Sequence, residues 1–108
     1  MSIIRGTTPT LTFHVKNEQL DLNEIAEIWI TFHTKAGVTV REKTYTLEDV
    51  TIDDTEKTIE LDLSQEDTLN LTDTNMLIQL RVRFNDDLAY ASSIMDVQIG
   101  HILKEGVI

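Results

Sequence analysis

Met76-Leu77-Ile78-Gln79-Leu80-Arg81-Val82-Arg83-Phe84 sets an apolar side chain at every second position. Neighbouring side chains on a strand point to opposite faces, so this stretch reads as a strand. Met76, Ile78, Leu80, Val82 and Phe84 take a core face, and Leu77, Gln79, Arg81 and Arg83 take the other. The same period runs through Leu11, Phe13 and Val15, through Ile28, Ile30 and Phe32, and through Ile59, Leu61 and Leu63. Their partners Thr10, Thr12 and His14, then Glu27, Trp29, Thr31 and His33, then Thr58, Glu60 and Asp62, fall toward water.

Two further segments are less regular. Val38 to Tyr45 begins apolar and then carries Arg41-Glu42-Lys43, as a charge-protected edge strand does. Leu88 and Tyr90 stand in one phase, but Met95, Val97 and Ile99 stand in the other. A switch near Ala91-Ser92-Ser93 predicts a β-bulge or a strand that crosses between sheets.

Turn chemistry separates these runs. Lys35-Ala36-Gly37 offers a glycine for positive φ, while Asp53-Asp54-Thr55-Glu56 and Asn85-Asp86-Asp87 carry side chains that bond their own backbone. Ser64-Gln65-Glu66-Asp67 puts a capping serine three residues before an acid, with Leu69 and Leu71 following, which predicts about two helical turns near residues 64–71. Asp21 to Ile25 suits a further short turn. About seven strands with hairpin-type turns predict an all-β chain, an antiparallel β-sandwich of Ig-like architecture. The Cys–Trp–Cys pattern of immunoglobulin domains is missing. No linker or repeat divides the chain, so residues 1–108 are expected to form one domain.

Composition narrows the function. At 108 residues and 41% hydrophobic, the chain is too apolar for disorder and too short for two ordinary domains. Nine Lys and Arg against 19 Asp and Glu give a formal charge of -10, which argues against nucleic acid and against anionic membranes. With no cysteine, disulfides, thiolate nucleophiles and Cys-type zinc sites are excluded. Met1 to Gly6 does not open a signal peptide, and no run reaches the ~20 apolar residues of a membrane-spanning helix.

Catalytic constellations are not apparent. Ser92 and Ser93 lack a nucleophile-elbow context, and His14 and His33 fall on polar strand faces. His101 and Glu105 would share a face of a helix, but two ligands do not make a zinc site. Asp53-Asp54-Thr55-Glu56 lacks the spacing of an EF-hand loop and reads as a solvated turn. No catalytic, cofactor-binding or metal residue is assigned, no cofactor is expected, and the chain is read as a non-enzyme.

Trp29 is the oddity, because alternation puts it on the wet face with Glu27, Thr31 and His33. Either it is a contact anchor, since Trp is enriched at interface hot spots, or that face is covered by the termini or a small helix. If the Arg81 strand neighbours it, a guanidinium is placed to pair with Glu27 and cover the indole. The apolar tail Ile102-Leu103-Lys104-Glu105-Gly106-Val107-Ile108 has two readings as well: a segment that docks on this subunit or another, or the last strand of the sandwich. The candidate interface is therefore Trp29, Glu27, Arg81 and Arg83 with Ile102, Leu103, Val107 and Ile108. A metal-dependent hydrolase built on His101 stands as a remote alternative. A carbohydrate- or ligand-binding module with Trp29 as platform and Glu27, His33 and Gln79 as polar contacts stands as a nearer one.

A resemblance sharpens this. Ile3-Ile4-Arg5-Gly6-Thr7-Thr8-Pro9-Thr10-Leu11-Thr12-Phe13 resembles the opening of small tail-module proteins of phages and prophages of Gram-positive bacteria. Ile28-Trp29-Ile30-Thr31-Phe32, Leu63-Ser64-Gln65-Glu66-Asp67-Thr68-Leu69, Ile78-Gln79-Leu80-Arg81-Val82-Arg83 and Val97 to Ile108 extend the likeness over nearly the whole chain. The implied fold is similar to the N-terminal β-sandwich of phage baseplate upper proteins. The implied role is a structural adaptor or assembly protein of the tail or baseplate, built into the virion after assembly in the host cytoplasm. Its partners would be other tail proteins or further copies of itself. The sequence stops at Ile108, without the coiled coil or receptor-binding region of those longer proteins, so a stand-alone adaptor is expected.

Overall fold

In the computed structural model, the long strands β3 (Ile25–Thr34) and β7 (Asn75–Phe84) lie side by side, antiparallel, at the centre of the larger of two sheets. The structure describes residues 1–35, 42–71 and 74–108. Around the central pair stand β1 (Ser2–Ile4), β4 (Glu42–Thr46), β8 (Ala89–Ala91) and β9 (Met95–Gly100). The order is β1-β9-β7-β3-β4, with β8 also on β7. The smaller sheet has the order β2 (Thr10–His14), β6 (Thr58–Asp62), β5 (Val50–Asp53), all antiparallel.

The two inner faces meet on a core that alternation predicts. Ile28, Ile30 and Phe32 of β3, Ile78 of β7, Val97 of β9 and Ile59 and Leu61 of β6 are all buried. Tyr45 closes one end of it, edge-on to Phe32 at 5.8 Å between ring centroids. Burial pushes the Tyr45 phenol far above its ordinary range, and the neighbouring Asp67 and Asp49 carboxylates add to the shift.

Three details depart from the expected antiparallel sandwich of about seven strands. β1 pairs with β9 in parallel, so the larger sheet is mixed. The described residues hold nine strands, because β1 and β5 are short and the Leu88–Ile99 segment divides in two. Of the expected Val38–Tyr45 strand, β4 begins at Glu42 and lies at the end of the larger sheet, as charge protection predicted. Val38 to Arg41, and Ala36-Gly37 of the preceding turn, lie outside the described residues.

The phase switch is a bulge-like interruption within one sheet, and no strand crosses over. Val82 faces Tyr90 while Ile78 faces Met95, so the β8–β9 side holds one more residue than β7 does over that stretch. Ser92 fills the gap. Its N–H donates to the Leu80 carbonyl at 2.8 Å, and its Oγ accepts from the Leu80 N–H at 3.0 Å.

Helix α1 (Gln65–Leu69) is shorter than the two turns expected, but its capping box forms as the sequence indicates. Ser64 Oγ accepts from the Asp67 N–H, and the Asp67 carboxylate accepts from the Ser64 N–H. Burial opposes ionisation of Asp67, yet the Ser64 N–H and hydroxyl, the Tyr45 hydroxyl and Lys43 together hold its carboxyl below the ordinary range. Asp21 caps a single 3-10 turn at Leu22–Glu24. At the other predicted turns, Asp53 Oδ1 accepts from the Thr55 and Glu56 N–H groups, and Asp86 Oδ1 from Leu88. Lys57, just after the first of these turns, and Asp87, within the second, have positive φ, at 55° and 68°. Among the described residues no helix is long and apolar enough to cross a membrane.

Candidate functional site

The outer face of the larger sheet is set by register. Glu27 of β3 stands opposite Arg83 of β7, Trp29 opposite Arg81, and Thr31 opposite Gln79. On the other flank of β3, Trp29 stands opposite Thr46, Thr31 opposite Thr44, and His33 opposite Glu42. Cross-strand neighbours on one face lie close enough for long side chains to touch, so this pairing decides the chemistry of the face.

Four predicted residues converge. The Arg81 guanidinium lies over the Trp29 ring, 5.4 Å from its centroid. Trp29 Nε1 donates to Glu27 Oε1 at 2.9 Å, and the other oxygen of Glu27 accepts from Arg83 Nη2 at 3.5 Å. Arg83 also approaches Asp87, at 3.6 Å. The indole is therefore fixed through both its ring face and its N–H. It nonetheless remains 44% exposed, which overturns the reading in which the termini or a helix cover it. A cation over an exposed indole contributes about 0.5–1 kcal/mol, so the lattice orients Trp29 more than it stabilises the fold. Among the described residues no carboxylate pairs with Arg81.

Beside the indole the face is hollowed, with a volume of about 560 Å³ lined by Trp29, Thr31, His33, Thr44, Gln79 and Ile94 among others. Its polar lining combines hydroxyl, amide and imidazole groups with the Glu42 carboxylate and the Arg81 guanidinium. The Thr31 and Thr44 hydroxyls bond each other at 3.2 Å, and His33 Nδ1 sits 2.7 Å from the Thr34 carbonyl.

The predicted tail residues lie elsewhere. β9 runs antiparallel to β7 with Gln98 opposite Asn75, so the chain leaves the sheet at the Asn75 end while Trp29 sits toward the Phe84 end. The spacing along β7 from residue 75 to residue 81 is about 20 Å. The tail is not a last strand: strand structure ends at Gly100. It docks instead through polar contacts on its own subunit. Arg5 pairs with Glu105 and donates to the Leu69 carbonyl, while the Gln65 amide bonds both the N–H and the C=O of Ile108. Ile102 is half-buried, its Cδ1 near the positive-φ Gly6, where an added Cβ would stand 3.2 Å away. The Leu103, Val107 and Ile108 side chains are exposed. The structure thus makes two separate patches of the eight candidates.

The residues weighed for catalysis have other occupations or none in common. Ser92 holds the bulge, Glu105 binds Arg5, and residues 101–105 form no helix, so His101 and Glu105 do not share a helical face. Asp54 accepts from Lys57 Nζ at 2.6 Å and from the Leu22 N–H at 2.8 Å, which holds its carboxyl below the ordinary range. Among the described residues no group of three or more His, Asp or Glu side chains is placed to hold a metal ion. No family model and no curated protein matches this chain.

Proposed function

We propose that this protein is a non-enzymatic structural adaptor of a phage or prophage tail or baseplate, working by packing against other tail proteins or further copies of itself. The observation that carries the packing role is the exposed Trp29, held by Arg81 and Glu27 on an open sheet face. Interfaces concentrate their energy in Trp, Tyr and Arg anchors whose geometry is set before binding. Trp29 and Arg81 are such a pair, and the rim residues Glu27 and Arg83 supply the exposed charges that set orientation more than affinity. The assignment to a tail rests on the full-length resemblance of the sequence. It carries with it assembly in the host cytoplasm and a final place in the virion.

Light scattering over a concentration series, alone and mixed with tail proteins encoded beside its gene, tests this reading. The expected result is a defined homo- or hetero-oligomer that Trp29→Ala weakens while the far-UV circular dichroism stays unchanged. A protein that remains monomeric in every mixture contradicts it.

A second reading follows from the hollow beside Trp29. Its Thr31, Thr44, Gln79 and His33 lining suits a carbohydrate or small polar ligand, with the free part of the indole as platform. Glycan titration followed by Trp29 fluorescence decides it: saturable shifts support a ligand module, and a flat response removes it.

A further inference from the structure

A second surface, remote in character from the Trp29 face, is an open strand edge over an apolar groove. β2 ends the smaller sheet, with β6 on one side only. The Val15 N–H donates to the Lys57 carbonyl and the Leu63 N–H to the Pro9 carbonyl, so the odd-numbered residues of this stretch bond to β6. Thr10, Thr12 and His14 therefore aim their N–H and C=O groups outward. Among the described residues those groups meet no backbone partner.

Beside this edge, between β2 and the β8–β9 segment, runs a groove of about 570 Å³. Phe13, Val82, Tyr90 and Met95 supply its apolar walls. Of the described residues lining it, only Lys16 and His14 bear a basic group, and none is a carboxylate, in a chain of formal charge -10. Lys16 has no ion-pair partner among the described residues.

Natural edge strands are guarded by charge. β4 opens on Glu42-Lys43 and β5 closes on Asp53, whereas β2 reads Thr-Leu-Thr-Phe-His with no Lys, Asp or Glu. An unguarded edge, an apolar groove along it and an unpaired cation at its mouth describe an acceptor.

We propose that the β2 edge accepts an extended strand from another protein, one that alternates apolar residues and carries carboxylates at its flank. Main-chain bonds to Thr10, Thr12 and His14 would extend the smaller sheet, and alternate side chains would enter the groove. A flanking carboxylate would meet Lys16, so the acid-free mouth selects an acidic segment over a basic one.

The test uses a synthetic peptide of about seven residues, matched to the edge, with Val and Ile alternating with Thr and Asp at both ends. The same peptide with Lys at both ends is the control. Amide hydrogen exchange and NMR titration of the full chain read the outcome. The expected result is slowed exchange at the Thr12 and His14 amides, with the Asp-ended peptide binding about tenfold more tightly than the Lys-ended one. Thr12→Pro, which removes one outward N–H, abolishes the effect. Lys16→Glu reverses the preference and serves should the proline variant fail to fold. Trp29→Ala leaves both intact, so this result stands or falls apart from the role of the outer face. No protection at Thr12 and His14, equal binding of the two peptides, or protection that rises with protein concentration alone overturns the proposal. In the last case a second copy fills the edge.

Discussion

The two faces of β3 are made from one ten-residue run, yet they do opposite work. Ile28, Ile30 and Phe32 are sealed between the sheets, and their contribution is the removal of apolar surface from water. Glu27, Trp29, Thr31 and His33 meet their cross-strand neighbours and, through the Trp29–Glu27 and His33–Thr34 contacts, their own strand. The inner face needs no specific partner atoms beyond close packing. The outer face has specific ones in Arg81, Arg83 and Thr44, and little burial. The difference teaches that the residues that stabilise this sheet and those proposed to make its contacts are separable at single-residue resolution.

Substitutions on the two faces of the same sheet sharpen that separation, beginning with the largest effect. Phe32→Ala should cost about 3–5 kcal/mol in chemical denaturation, because it empties a buried site and removes the edge contact with Tyr45. Ile78→Ala, facing it from β7, should cost about 2–5 kcal/mol. If either value fell below that of a surface change, the inner face would not be the core.

Ser64→Ala should cost about 1 kcal/mol by breaking the capping box of α1, measured the same way. Acid titration probes the same box. The Asp67 carboxyl is depressed in the folded state, so its contribution is present above the unfolded value of about 3.9 and is lost as pH falls through the lower, folded value. Stability should therefore hold from neutral pH to about pH 5 and decline below about pH 4, with a shallower decline in Asp67→Asn.

Trp29→Ala should change stability by no more than about 1 kcal/mol, since it loses one exposed cation–π contact and one bond to Glu27. Its effect on association should be far larger. Arg83→Ala should be smallest of all, within about 0.5 kcal/mol, because its two carboxylate contacts are long and exposed. A large loss of stability from either outer-face change would break the comparison.

Much of this was legible in the sequence, and the reasons are local. Alternation sorts Ile28 from Trp29 because strand geometry enforces a period of two, and Ser64 with Asp67 announces α1 because the capping box lies within four residues. The pairing of Arg81 with Trp29 needed one fact beyond pattern, that the two strands are neighbours, and the structure supplies it. The phase switch at Ala91-Ser92-Ser93 also registered, but not that the Ser92 hydroxyl would stand in for the missing ladder bond.

What sequence could not give is set by long-range placement. The parallel docking of Ser2–Ile4 on β9 joins residues about a hundred positions apart, and nothing within three residues encodes it. The groove beside β2 is of the same kind. Its walls come from Phe13, Val82, Tyr90 and Met95, which share no motif, and only the stacking of the sheets brings them together. The tail docks on its own subunit, one of the two readings its sequence offered, but what holds it is Arg5 and Gln65, through charge and bonds to the backbone, and no local pattern announced those partners.

Because Trp29 is the only tryptophan, its fluorescence reports the outer face alone. Emission and acrylamide quenching should be recorded from dilute solution up to the concentration at which the protein, with or without a tail partner, assembles. The account predicts red-shifted, readily quenched emission when dilute, moving to blue-shifted and protected emission on assembly. Assembly that leaves both signals unchanged would contradict it, because the oligomer would then form without the Trp29 face.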